Sequence, residues 1–169
     1  MEQFDRIDLH IHSTVSDGTD TPEMVLSRVK EAGIGLFSLT DHDAVKGCAA
    51  IISQLREGDP RFIAGAELSC RDEEGKYHIL AYGYDPDDPS IRKLIAQGHG
   101  YRMKKVEARL AFLREKYGFH FPKEELDRLF SLENPGKPHI GNLMVKLGYA
   151  RSKEEAINQY INKIGRAHV

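Results

Sequence analysis

His10 and His12 are separated by one apolar residue in the run Asp8-Leu9-His10-Ile11-His12-Ser13. Residues two apart on a β-strand project from one face. The two imidazoles can therefore share one divalent metal ion, with Leu9 and Ile11 on the opposite face. Alone, such a pair reads more readily as two polar residues on a solvated strand. Other groups change the weighing. Asp17 follows in the next loop beside Gly18, Thr40-Asp41-His42-Asp43 follows a second strand-like run, Glu67 lies in Gly65-Ala66-Glu67-Leu68-Ser69, and His78 begins a fourth run. Each has an ordinary explanation by itself: Asp17 as a turn residue, Asp43 as a helix cap, Glu67 as a surface charge, His78 as a strand histidine. Their joint placement at the ends of strands is what points to metal binding, because sites in parallel α/β barrels form at that face.

The elements that must position these groups alternate. Phe4 to His12 carries the apolar alternation Ile7, Leu9, Ile11 of a half-buried strand. Ser13 to Asp20 is a polar loop. Thr21-Pro22-Glu23 starts a helix with a capping hydroxyl and a proline in its first turn; Val25, Val29 and Ala32 form its buried stripe and Gly33 ends it. Leu36 to Thr40 is a second strand, and Asp43 is expected to cap a helix from Ala44 to about Arg56. Phe62 to Leu68 and Tyr77 to Tyr84 read as a third and a fourth strand, and the Asp72-Glu73-Glu74-Gly75 link leaves open whether that last pair is a hairpin. Strand and helix in alternation give an α/β class with parallel strands.

After Asp85-Pro86-Asp87-Asp88-Pro89 the character changes. Ile91, Leu94 and Ile95, then Val106, Leu110 and Leu113, recur at helical spacing, and Gly98 and Gly100 leave one helix or two as alternatives. Lys123 to Leu132 and Pro138 to Leu147 read as further helices, the second closed by Gly148, and Ser152-Lys153-Glu154-Glu155 as a capping box. The expected division is an α/β part over residues 1–85 and an all-helical part over 86–169.

The 169 residues suit one domain with at most one inserted subdomain, and the 40% hydrophobic fraction suffices for a core. A net charge of −2 marks no broad nucleic-acid or membrane surface. Cys48 and Cys70 lack a CxxC partner and read as buried thiols of a reducing compartment. The first six residues lack the pattern of a signal peptide, and no apolar run approaches a membrane span. The expectation is a soluble, cytoplasmic protein.

Asp8 to Ser13, Ser16-Asp17-Gly18, Leu39-Thr40-Asp41-His42-Asp43, Gly65-Ala66-Glu67 and His78-Ile79-Leu80-Ala81-Tyr82-Gly83 together resemble, in order and spacing, the first motifs of the PHP (polymerase and histidinol phosphatase) superfamily. The resemblance covers essentially the whole chain. It is nearest the stand-alone branch with a helical insertion after the fourth strand, whose members act as nucleoside 3′,5′-bisphosphate phosphatases or 5′-to-3′ exoribonucleases. It implies a distorted seven-stranded (β/α) barrel with a trinuclear metal site. It also implies a role for each matching residue. His10 and His12 hold one metal, Glu67 bridges it to a second, His78 ligates the second, and Asp17 with His42 holds a third. Asp8 and Asp41 orient imidazoles from behind. This nitrogen and oxygen set, without thiolate, suits Mn, Zn or Fe better than Mg or Ca, with two or three ions in a complete site.

Such ions lower the pKa of a coordinated water and neutralise phosphate oxygens, so the expected reaction is hydrolysis of a phosphoester by metal-activated hydroxide without a protein nucleophile. The resemblance implies that basic and His groups of the insertion hold a second phosphate of a nucleotide or short oligonucleotide. Arg102, in Tyr101-Arg102-Met103-Lys104-Lys105, and Lys137 and His139, in Lys137-Pro138-His139, are the matching candidates. The family's later ligands, a His or Cys after the fifth strand and an Asp-x-His near the end, find no counterpart. His168 is the single late histidine, and Gly165 to Val169 resembles the exit from the insertion. The chain therefore reads as a partial barrel, with an open sheet edge that favours self-association and a weakened site. A histidinol-phosphate-type phosphatase and a non-catalytic metal-binding remnant are the alternatives.

Overall fold

The protein is described from a computed structural model over residues 5–164. It comprises two compact units, Met1–His99 and Gly100–Val169.

The first unit is a four-stranded sheet, ordered as in the sequence, with two helices between its first three strands. β1 (Ile7–Ile11), β2 (Leu36–Leu39) and β3 (Arg61–Arg71) are mutually parallel, and β4 (Lys76–Tyr82) is antiparallel to β3. The open alternative for β3 and β4 thus resolves as a hairpin. Asp72 makes it: its Oδ1 accepts from the amides of Glu74 and Gly75, both at 2.9 Å. A short polar side chain binding the backbone just ahead of it supplies the turn. β1 and β4 are the two edges of this sheet.

α1 (Pro22–Glu31) begins as its sequence signals, with Thr21 Oγ1 accepting from Met24 N and Gly33 closing the helix at φ +64°. Val25, Leu26 and Val29 are its buried stripe. They pack with Phe37, Leu39, Cys48, Ile51 and Ala64 into the core of this unit. Leu26 replaces the expected Ala32, which sits at the helix end and is half-buried. α2 spans Lys46–Ile52 and is shorter than expected, and Asp43 does not cap it. The N-cap is Val45, with no side-chain cap bond, because the Asp43 carboxylate accepts instead from the Ser69 amide at 2.8 Å. The two thiols are unpaired; Cys48 is buried, as expected, and Cys70 only half-buried.

α3 (Pro89–Tyr117) is one continuous helix of 29 residues, so Gly98 and Gly100 do not divide it. Its buried positions Val106, Leu110 and Leu113 lie in the second unit. There they meet Phe121, Leu129 of α4 (Lys123–Phe130), and Ile140, Leu143 and Met144 of α5 (Lys137–Lys146). Gly148, at φ +77°, ends α5, with Tyr149 N returning to Met144 O. The last helical segment begins at Lys153, where Ser152 caps Glu155 N. The reciprocal half of the capping box goes elsewhere: the Glu155 carboxylate accepts from Arg151 N. No described residue after Tyr82 is in a strand. The Gly165 to Val169 segment, with His168, lies outside the described residues, as does Phe4.

Candidate metal centre

Glu67 is where the sequence pattern converges. It sits mid-strand in β3 at 5% exposure, opposite Leu80 of β4. His78 is two residues from Leu80 and so shares its face, which brings its imidazole diagonally onto Glu67. His78 Nδ1 hydrogen-bonds Glu67 Oε1. On the other side, His10 Nε2 and His12 Nε2 each lie 3.0 Å from Glu67 Oε2. Both come from β1 and its end, as the alternation requires. His42 Nδ1 lies 3.8 Å from the same oxygen. His42 reaches Glu67 because the chain after β2 forms one further parallel bridge to it. Asp17 completes the arrangement, 3.3 Å from His12 Nδ1 and 3.8 Å from His42 Nε2.

These contacts form three overlapping groups, His10–His12–Glu67, His12–Asp17–His42 and His42–Glu67–His78, each with its donor atoms within 4.8 Å of one another. Ligands about 2.1 Å from a shared ion stand roughly 3.4 Å apart in a tetrahedron, so the 3.0–3.3 Å contacts of His10, His12, Asp17 and Glu67 are of the right scale. Successive imidazoles lie close, at 5.1 Å for His10 and His12, and 4.8 Å for both His12–His42 and His42–His78. Four rings so close would repel as imidazolium ions. As neutral ligands they have no such conflict, so the donor set fits divalent cations.

The ionisable groups of the site also shift one another. Burial alone would raise the Glu67 carboxyl, but the His10 hydrogen bond and the His42 and His78 charges outweigh it and hold the group below its usual range. His12 is shifted up by its hydrogen bond to Asp17, against the opposing effect of burial. A carboxylate held ionised is in the form that can ligate a cation.

Behind these donor groups stands Asp41, 2% exposed. Its Oδ1 accepts from Ser13 N and Ser16 Oγ, and its Oδ2 from Ser13 Oγ, all at 2.7 Å. Ser16 Oγ in turn lies 3.4 Å from His12 Nδ1. Asp41 therefore braces the loop that carries His12 and Asp17, and it reaches an imidazole only through Ser16. Asp8 accepts from the backbone amide of His10 at 3.2 Å and contacts no ring in the described structure. Two glycines make room. A Cβ on Gly18 would stand 2.4 Å from the His12 carbonyl oxygen, and one on Gly47 2.5 Å from Asp41 Oδ2. Sequence reasoning assigned no role to Ser13, Ser16 or Gly47; the serines stood inside quoted motifs, but nothing marked their contacts.

The basic candidates belong to the second unit and are described within it. Arg102 Nη1 lies 3.4 Å from where a Cβ of Gly136 would stand. His139 Nδ1 accepts from Gly136 N at 3.1 Å, so both residues meet the start of α5. Lys137 is adjacent in the chain, but its Nζ donates to Asn162 Oδ1 at 2.7 Å. Sequence reasoning missed two neighbours. Arg109 Nε and both side-chain polar atoms of Asn134 are buried without a hydrogen-bond partner among the described residues. Burial, then the nearby Arg102 charge, depresses the Arg109 guanidinium.

The profile of the PHP domain matches residues 8–167. The chain belongs to the PHP domain family. The match begins at Asp8 and takes in every residue of the three donor groups. Among PHP relatives, a 3′,5′-nucleoside bisphosphate phosphatase of Chromobacterium violaceum is 38% identical over 108 residues, covering 62% of this chain and 38% of that protein. The 5′-3′ exoribonuclease Rnm of Escherichia coli is 29% identical over 160 residues, covering 91% of this chain and 53% of that one. The chain thus spans about half the length, or less, of these curated relatives. Among solved structures, an amidohydrolase of C. violaceum with bound sulfate and no metal superposes with a TM-score of 0.80 at 27% identity, covering 97% of this chain and 58% of that one. A Bifidobacterium adolescentis protein assigned as a metal-dependent phosphoesterase superposes at 0.81 with 21% identity, covering 98% and 58%, and shows the fold. The fold is accordingly mixed α/β, the first four strands of a PHP barrel joined to a helical segment. No helix among the described residues is long and apolar enough to cross a membrane.

Proposed function

We infer that this chain carries the metal-binding half of a phosphoesterase acting on phosphate esters of nucleotides or of short oligonucleotide 5′ ends. The observation that carries this reading is Glu67, whose two oxygens meet the imidazoles of His10, His12, His42 and His78. That carboxylate would serve ions at both the His10–His12 and the His42–His78 groups, and Asp17 with His12 and His42 would hold a further one. Mn, Zn or Fe suits this nitrogen and oxygen set. When bound, such ions acidify a water and neutralise charge on phosphate oxygens.

The chain's own side chains do the rest. Glu67 keeps its charge although its side chain is buried, and His10 and His78, each about half-exposed, leave an approach for a phosphate. Asp41 fixes the His12 loop, so the ligands are held before any ion arrives. In the helical segment, which we read as an insertion over residues 86–169, Arg102 of α3 and His139 of α5, which both approach Gly136, are with Lys137 the groups to hold a second phosphate. The buried, unpartnered Arg109 Nε and Asn134 side-chain amide support an anion there, because buried polar atoms without partners are costly. The relatives named for bisphosphate and RNA substrates point the same way. The cytoplasm is the compartment that suits such substrates and the unpaired thiols. Self-association along the β1 or β4 edge belongs to the same reading.

Phosphate release from nucleoside 3′,5′-bisphosphate, nucleoside monophosphate and histidinol phosphate tests it under added Mn²⁺. The bisphosphate should be preferred, and Arg102→Ala should raise its KM by about tenfold or more while changing the monophosphate KM little, the loss of one charge-assisted contact. Equal effects on both, or a preference for histidinol phosphate, would remove the nucleotide assignment. No release from any of them above a metal-free control would favour a binding role without turnover.

A further inference from the structure

Asp43 is not among the metal-donor groups, and its side chain does not cap α2. It is nevertheless buried, at 5% exposure, and is the one non-glycine residue with positive φ, +45°, among the described residues. Aspartate is one of the few residues that enter this left-handed region at modest cost. A strained turn directly after a metal-ligand histidine calls for a compensating interaction.

The compensation is a set of ties between the His42 segment and β3. Asp43 N donates to Glu67 O at 3.0 Å, and Glu67 N donates to Asp41 O at 3.2 Å. The Asp43 carboxylate accepts from Ser69 N, two residues beyond Glu67, at 2.8 Å. His42 is thus held on both sides by backbone bonds to Glu67, and the strand beyond Glu67 is held by the Asp43 side chain. From the other direction comes Gly98 of α3. A Cβ there would stand 3.2 Å from Asp43 Oδ1 and 3.4 Å from its Cβ and Cγ, tighter than ordinary contact. A side chain at 98 would press on the oxygen that binds Ser69.

We propose that Asp43 is a positioning residue that fixes the spacing of His42 and Glu67 through the Ser69 tie, and that Gly98 is the contact at which α3 leaves this tie undisturbed. The proposal rests on the reading of the cluster as a metal centre. It assigns Asp43 no contact with metal or substrate. It explains why the turn tolerates a strained aspartate, and why α3 carries a glycine inside a helix at a cost of about 1 kcal/mol relative to alanine.

Three substitutions separate backbone from carboxylate. Asp43→Gly relieves the left-handed strain and removes the tie. Asp43→Asn keeps an acceptor oxygen and the tolerance for positive φ. Gly98→Ala keeps Asp43 and crowds it. Mn²⁺ affinity is measured by titration, alongside thermal unfolding of the metal-free proteins and hydrogen exchange of the Ser69 amide. Asp43→Gly should stay folded, lose Ser69 protection, and bind Mn²⁺ about 10- to 100-fold more weakly, the usual effect of removing a group that supports ligands. Asp43→Asn should restore most of the affinity. Gly98→Ala should weaken Mn²⁺ binding in the parent protein but not on the Asp43→Gly background, since the two act through one contact. Unchanged Mn²⁺ affinity in Asp43→Gly despite loss of Ser69 protection would overturn the positioning role. So would an Asp43→Asn variant as weak as Asp43→Gly. If the parent protein takes up no metal, the metal centre itself fails. Ser69 exchange then still decides the tie, which is lost if Asp43→Gly leaves that amide protected.

Discussion

Glu67→Gln should strip most bound metal from the protein, an effect of at least about 100-fold on affinity, because this one carboxylate serves two of the three donor groups. Each oxygen has its own partners, Oε2 facing His10, His12 and His42 and Oε1 facing His78. Glutamine keeps the shape but halves the acceptor capacity and removes the charge. An ion at either group would then lose its one shared anionic ligand. The fold should persist, since a buried amide can still accept from one imidazole. Equilibrium dialysis against Mn²⁺ and Zn²⁺, with circular dichroism as the control, reads both halves. Retained metal in a folded Glu67→Gln protein would mean the ions sit elsewhere.

Asp41→Ala should instead attack stability. Asp41 accepts three hydrogen bonds in a site 2% exposed, from one backbone amide and two hydroxyls. Truncation leaves those donors without their acceptor. The hydroxyls can rotate, but the Ser13 amide cannot. A loss of about 3 kcal/mol is expected from unsatisfied buried donors and the charge-assisted bonds removed. In a unit of this size that lowers Tm by roughly 12–24 °C. Asp41→Asn should lose less, because its carbonyl oxygen can still accept from the Ser13 amide. Thermal unfolding of the metal-free proteins makes the comparison. A drop of a degree or two for Asp41→Ala would show that water replaces the carboxylate at no great cost. The same variant should also loosen His12, which touches Asp41 only through Ser16.

The legibility of this site in the sequence follows from how local each cause is. His10 and His12 share a face because a strand repeats every two residues, and that period is written in Ile7, Leu9 and Ile11. α1 is marked at both ends by Thr21, Pro22 and Gly33, and its cap is formed as those residues suggest. Glu67 and His78 were legible as residues at strands, but their meeting needed the antiparallel register of β3 and β4, which depends on how Asp72 folds the turn. Asp43 shows where local reasoning fails. A side chain just before a helical pattern is usually a cap, yet here a tertiary partner, Ser69 N, competes for the carboxylate and wins. Gly98 and Gly100 suggested a break by propensity alone. α3 continues through them, since a cost of about 1 kcal/mol each does not stop a helix anchored by Val106, Leu110 and Leu113. Arg109 and Asn134 left no sequence signal at all, because only packing shows that their polar atoms are buried.

The most direct test of the central claim is the metal content of the purified protein beside its His10→Ala/His12→Ala variant, by elemental analysis after gel filtration. Mn, Zn or Fe should accompany the parent protein at one or more ions per chain, and the double variant should lose most of it while keeping its circular dichroism spectrum. Equal metal content in the two proteins would contradict the assignment of this cluster as the metal centre.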